Sequence, residues 1–384
     1  MRGVVPFPRV RVLVDYRPAL RARTGIGEYV HQLAAALAGL PEGAPDVTVF
    51  AASWRDRVTA EARAALAGTR IVERPLPVGA LRWSWHHLGV PPVEWLAGPH
   101  DVAHSPTPLL LPAARAAQVV TLFDLHFLTA PDQATDVAQR DFARRVRDHA
   151  RRADHVVAGS TQAAALAASE LGVARERVTV TPLGAPAWAL DVARQRAGQP
   201  GRILLFVGTL EPRKNLGLLL DAYEQLRTRR PDAPPLVIAG GPGPGSEAWT
   251  ARAAAPPLAG HVRVLGYVPD DTRRALFADA RALVLPSVDE GFGLPVLEAM
   301  ACGVPAVVSP VGPMPDLVGD GGLVAPLADV AAWTDALEAC LDDARVRHLG
   351  ARGAARAAAY SWRATATATL QAYRAAIAAR AERR

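Results

Sequence analysis

At 384 residues, half of them apolar and 21% charged, the chain is long enough for two globular domains with a core in each. Its formal charge of +6 favours anionic partners without choosing among nucleotide, nucleic acid and membrane. Only two cysteines, Cys302 and Cys340, are present, which excludes a disulfide framework and fits a reducing cytoplasm. No apolar run reaches the roughly 18–20 residues of a membrane span, and the N-terminus lacks the pattern of a cleaved leader. A cytoplasmic protein is expected, with any membrane contact peripheral.

Short strands alternate with helices along the whole chain, the rhythm of α/β layers built on parallel sheets. A strand at 10–14 is followed by a turn at Gly25–Gly27 and a helix over 28–40. Strands are predicted at 46–51, 101–104, 119–123 and 155–158, a helix over 160–171 and a strand at 177–181. Residues 185–201, with their Pro, Gly and Gln content, are predicted to be a linker. The rhythm then restarts, with a strand at 202–207, a helix over 215–228 and a strand at 236–239 before the glycine-rich loop 240–245. That loop lacks a Lys-Ser/Thr ending, so it is not a triphosphate P-loop. Further elements are predicted at 262–265, 270–278, 282–285 and 306–309. An Ala/Arg-rich helix over about 361–380 closes the chain. No solenoid period is present. The predicted architecture is therefore two doubly wound, Rossmann-like parallel-sheet domains, 1–184 and 202–360, with ligand off the carboxyl ends of the strands. Residues 361–384 form a separate terminal helix.

One segment carries most of the chemistry. Residues 290–298 read Glu-Gly-Phe-Gly-Leu-Pro-Val-Leu-Glu, two carboxylates with a glycine turn and a proline between them. Gly291 and Gly293 allow close backbone approach, and Pro295 suits a first helical turn, where its missing N–H is harmless. A helix start after such a turn attracts phosphate. Glu290 in the loop and Glu298 about one turn into the helix would flank that phosphate, which suits a sugar nucleotide. Arg213 and Lys214 follow a strand and precede a helix with Asn215 as its expected cap. Two cations and a helix N-terminus at one loop would stabilise a leaving diphosphate; the ordinary alternative is a pair of solvated surface cations.

These residues resemble glycosyltransferase family 4, whose members are retaining enzymes with the GT-B fold. The resemblance extends to Val207-Gly-Thr-Leu-Glu-Pro-Arg-Lys-Asn-Leu216, Gly266-Tyr-Val-Pro269 and Ala299-Met-Ala-Cys-Gly-Val-Pro305. It is weaker at Thr24-Gly-Ile-Gly27 and Val156-Val-Ala-Gly-Ser160. It implies two Rossmann-like domains facing across a cleft, an acceptor-binding first half, a donor-binding second half and a terminal helix crossing back to the first domain. It further implies that Glu298 holds the ribose diol and Glu290 the donor sugar. Gly208 and the amides near Phe292 and Leu294 would lie at the sugar or phosphate. Thr209 stands where the family often has another arginine.

In the first half the resemblance places Asp124 at the acceptor, as the group that positions or deprotonates its hydroxyl. The family often has His-Asp where this chain has Phe123-Asp124. His126 is the candidate substitute, with an ordinary loop histidine as the alternative. Gly25 and Gly27 either bind donor phosphate or acceptor through backbone amides, or simply make a tight turn. His104-Ser-Pro106 is equally open. Arg140, Arg144, Arg147 and Arg151 recur at helical spacing, either as a membrane-touching basic face or as a solvated helix with its apolar side on the core.

The expected activity is retaining transfer of a hexose from a nucleoside diphosphate sugar to a hydroxyl of a glycan or lipid-linked acceptor. No clustered metal ligands are present, so a metal-independent reaction without a cofactor is expected. The Thr-Leu-Glu-Pro-Arg-Lys-Asn form resembles mannosyltransferases of surface-glycan assembly and suggests a mannosyl donor. Two other readings stay open: a sugar-nucleotide epimerase of the same fold, and a non-catalytic sugar-nucleotide-binding partner. Nucleic acid is not expected as a partner, because the basic residues are scattered and lack interleaved aromatics. No feature specifies the oligomeric state.

Overall fold

The computed structural model describes residues 9–20, 23, 25–41, 43–123 and 137–383. The chain forms two compact units, Met1–Gly184 with Ser361–Arg384, and Ala185–Tyr360.

The first unit holds β1 (Arg11–Asp15), β2 (Asp46–Ala52), β3 (Arg70–Arg74), β4 (Val102–Ser105), β5 (Ala117–Leu122), β6 (His155–Ala158) and β7 (Val178–Val180). They form one parallel sheet in the order β3-β2-β1-β4-β5-β6-β7. The central strands are buried along almost their whole length, as expected of a parallel sheet with helices on both faces. One apolar cluster gathers around Leu13, Phe50 and Trp85, another around Val120, Val146 and Leu171. Strand order reverses between β1 and β4, which pair from Val12↔Val102 to Val14↔His104.

Helix Trp362–Glu382 belongs to this unit and packs on helix Ile26–Ala38 and on β5 to β7. Ser361 caps it by accepting the Ala364 N–H at 3.2 Å. Thr365 Oγ1 donates to the Pro182 carbonyl at 2.6 Å. Midway along, Tyr373 Oη lies 2.7 Å from His104 Nδ1.

The second unit holds β8 (Ile203–Val207), β9 (Leu236–Ala239), β10 (Val262–Gly266), β11 (Ala280–Leu285), β12 (Ala306–Val308) and β13 (Gly322–Val324). The sheet is again parallel, in the order β10-β9-β8-β11-β12-β13. Its reversal lies between β8 and β11. The expected pair of doubly wound sheets is present.

The expected linker is not a bare connection. Residues Trp188–Arg196 form a helix of the second unit, with Ala189 and Val192 buried. Trp188 packs on Phe277 with ring centroids 5.6 Å apart. The Arg196 guanidinium donates to the carbonyls of Ala278 and Ala280 at 2.7 and 2.8 Å. The flanking Pro, Gly and Gln residues hide this short amphipathic turn in the sequence. Strands β3 and β13 and helix Asp343–Ala357 also escape the sequence reading. β3, Arg-Ile-Val-Glu-Arg, is a half-exposed edge strand without an apolar run.

Candidate active site

Two loops meet at the strand-order reversal of the second unit, where doubly wound sheets bind ligands. After β8 the chain passes Gly208 and makes one 3-10 turn, Pro212–Lys214. Asn215 then takes a left-handed conformation, φ 52° and ψ 42°, and leads into helix Leu216–Arg229. Asparagine tolerates that region better than most residues with a side chain. Asn215 occupies the cap position, yet its side chain makes no cap hydrogen bond. The expected cap is thus a backbone turn. From the β11 side, the Val288 N–H donates to the Arg213 carbonyl at 2.8 Å and ties the two loops together.

This turn brings together residues 76 positions apart. Lys214 and Glu290 are 6% and 8% exposed. Lys214 Nζ donates to Glu290 Oε1 at 2.5 Å, and Ser287 Oγ donates to the same oxygen at 2.7 Å. Arg213 is more open. Its guanidinium lies 2.7 Å from Glu211 Oε1 and 3.7 Å from Glu290 Oε2, and it donates to the Asp289 carbonyl at 3.3 Å. Lys214 is the single lysine among the chain's 43 basic residues. A compact ammonium fits this narrow site, where a Cβ on Gly208 would lie 3.5 Å from Lys214 Cε.

Glu298 sits in helix Leu294–Ala301 and is 2% exposed. Its carboxylate is ion-paired with Arg273 of helix Asp270–Asp279. Sequence reading missed Arg273 and Ser287, since nothing local links either to its carboxylate. Burial, and after it the charge of Glu298, push the Cys302 thiol well above its usual range.

Gly293 precedes the helix with φ 92°, and a side chain there would run into Met314. The Val296 and Leu297 amides donate to the Gly293 carbonyl, at 2.9 and 3.1 Å. Phe292 is buried with its ring edge-on to Tyr360, so packing accounts for it. Gly291 is buried and Leu294 half-buried, while Thr209 is exposed.

Gly25 and Gly27 lie in the first unit. Gly25 takes φ 46° at the start of helix Ile26–Ala38, and a Cβ on Gly27 would come within 2.8 Å of the Pro18 carbonyl oxygen. Backbone geometry accounts for both glycines. Asp124 and His126 lie outside the described residues. His104 is fully buried, with Nδ1 on Tyr373 and Nε2 2.7 Å from Thr121 Oγ1, which makes it a core histidine.

On helix Val137–Arg152, Arg144 pairs with Asp141 at 2.9 Å. Arg147 and Arg151 donate to the carbonyls of Glu170 and Leu171 at 3.3 and 2.9 Å. Among the described residues no helix is long and apolar enough to cross a membrane.

Two Rossmann-like units, with cations and carboxylates gathered at a strand-order reversal, define a GT-B protein. Residues 201–343 match the family of glycosyl transferases group 1, and residues 24–184 match the glycosyl transferase 4-like domain. The chain belongs to this glycosyltransferase family. It is similar, at 43% identity over 171 residues, to O-antigen chain mannosyltransferase B of Escherichia coli, covering 44% of this chain and 45% of that one. It is 34% identical over 245 residues to D-inositol 3-phosphate glycosyltransferase of Nocardia farcinica, covering 59% and 53%. In these matches the chain spans about half the length of its curated relatives. Among solved structures it resembles sucrose-phosphate synthase of Thermosynechococcus elongatus. The TM-score is 0.75 at 23% identity, over 95% of this chain and 98% of that one, a likeness of fold.

Proposed function

We propose that the protein is a retaining glycosyltransferase that moves a hexose from a nucleoside diphosphate sugar to a hydroxyl of a glycan or lipid-linked acceptor. The observation that carries this reading is the buried Lys214–Glu290 pair beside Arg213, at the strand-order reversal of the second unit. In the reaction the bond from the sugar's anomeric carbon to the diphosphate breaks, and the diphosphate departs with the electron pair. A bond from the acceptor oxygen to that carbon forms, and the hydroxyl proton is released. Arg213 and Lys214 stabilise the charge that develops on the leaving phosphate. Glu290, held in place by Lys214 and Ser287, retains acceptor lone pairs for sugar hydroxyls.

Glu298, oriented by Arg273, accepts hydrogen bonds from the ribose diol. Asp124 is assigned to the acceptor hydroxyl from the sequence alone. The similarity to an O-antigen chain mannosyltransferase supports a mannosyl donor.

The test is incubation with nucleoside diphosphate hexoses, guanosine diphosphate mannose first, with saccharide and lipid-linked acceptors, in the presence and absence of chelator. The expected result is acceptor-dependent release of nucleoside diphosphate that survives chelation, with the donor's anomeric configuration kept in the product. Epimerised donor without acceptor, or binding without turnover, would overturn the reading.

A further inference from the structure

The first unit carries a second group of cations that the donor site does not use. Helix Val78–His87 and helix Val137–Arg152 each place an arginine four residues before a histidine, Arg82 with His86 and Arg145 with His149. Four residues make about one turn, so each pair shares a helix face. The two faces meet, with the imidazole centroids of His86 and His149 6.0 Å apart.

The hydrogen bonding around these rings is incomplete in an informative way. His149 Nδ1 accepts the Leu110 N–H at 2.9 Å, which makes Nε2 the donating nitrogen of the neutral ring. His86 Nδ1 is buried with no hydrogen-bond partner. Among the described residues neither Arg82 nor Arg145 has an ion-pair or hydrogen-bond partner. On the same helix, by contrast, Arg144 and Arg152 pair with Asp141 and Asp148.

Arg17 lies close by, its guanidinium 4.5 Å over the Trp85 ring, but Asp15 already takes its charge at 2.7 Å. Burial and then the neighbouring His149, Arg17, Arg82 and Arg145 push His86 down to about 4. Asp148, the carboxylate acting on His149, already pairs with Arg152, and Asp15 with Arg17. The positive charge left on Arg82 and Arg145 is costly beside the two rings and is offset when an anion enters. Two arginines and two imidazoles carried on the meeting faces of two helices, both arginines acting electrostatically on His86, suit a tetrahedral oxyanion.

We propose that Arg82, His86, Arg145 and His149 form a phosphate site in the first unit. The donor's own phosphates are assigned to Arg213 and Lys214 of the second unit.

The experiment is calorimetric titration of the full chain with inorganic phosphate and with glycerol phosphate, with and without saturating nucleoside diphosphate. It is repeated on Arg82→Gln, Arg145→Gln and Lys214→Gln. Phosphate should bind the nucleotide-saturated protein, and each arginine replacement should weaken that binding about tenfold or more, leaving nucleoside diphosphate affinity unchanged. Lys214→Gln should show the reverse pattern. The His86 imidazole resonance should move with phosphate occupancy. Phosphate binding that is absent, or indifferent to both arginine replacements, overturns the site. If nucleoside diphosphate fails to bind, the transferase reading falls alone, and phosphate titration of the free protein still decides the site.

Discussion

Lys214 Nζ lies 2.5 Å from Glu290 Oε1, and the two residues come from loops that follow adjacent strands, β8 and β11. Removing one member of a buried pair strands the other's charge, at about 3–5 kcal/mol. Lys214→Met or Glu290→Leu alone should lower the unfolding free energy by about that amount. The double variant should recover most of the loss. All three should lose nucleoside diphosphate binding. Urea melts of the four proteins provide the test, and strictly additive losses would show that the pair is not energetically coupled.

The solitary lysine offers a direct probe. Isotope-labelled lysine places its side-chain signals at position 214 alone, since the chain has no other lysine. Nucleoside diphosphate should shift the Nζ and Cε resonances, and Glu290→Gln should shift them without nucleotide. An unchanged spectrum at saturating nucleotide would separate Lys214 from the donor phosphates.

The positions of the two sheets were legible because parallel strands buried on both faces appear as continuous apolar runs. Ile-Leu-Leu-Phe-Val at 203–207 is the clearest case. Strand β3 and helix Trp188–Arg196 lack such runs and became visible only through packing. At the site, Lys214 and Glu290 stood out by their local setting. Their pairing did not, because it is made by strand order across 76 positions. Arg273 was hidden for the same reason. The tight turn at Gly25 and Gly27 was legible as well, and the positive φ of Gly25 and the close approach of Gly27 to Pro18 show why glycine stands at both.

The ion pair between Arg273 and Glu298 presents a fully buried carboxylate in the helix that follows the glycine turn. If Glu298 holds the ribose diol, Glu298→Ala should weaken nucleoside diphosphate binding about tenfold to a hundredfold, the range for hydrogen bonds to a charged group. A 2′-deoxy nucleotide should lose a similar factor on the native protein and little more on the variant. Equal discrimination by both proteins would remove Glu298 from the ribose. Arg273→Gln should produce a smaller loss, through the freed orientation of the carboxylate.

Gly293 has φ 92°, and a Cβ there would collide with Met314. Gly293→Ala should therefore destabilise through backbone strain of about 1–3 kcal/mol, with the steric conflict added. Combined with Met314→Ala, the steric part should be relieved, giving a favourable coupling of about 0.5–3 kcal/mol in a double-mutant cycle. A coupling of zero would mean that strain alone enforces the glycine.

Acid should weaken the first unit before its carboxylates titrate. Burial pushes His104 from its ordinary 6.5 down to about 3, and His86 and His155 down to about 4. The folded protein keeps these rings neutral where the unfolded chain already binds protons near 6.5. Between those values the unfolded state holds more protons, so stability falls as pH falls below about 6.5. For His104 alone the limiting slope is about 1.4 kcal/mol per pH unit. Denaturant melts between about pH 7 and 5, above most carboxylate titration, should show a falling midpoint. His104→Asn should flatten the slope by one proton's share. An unchanged slope in that variant would mean that His104 becomes protonated in place, and that the Tyr373 and Thr121 hydroxyls accommodate the cation.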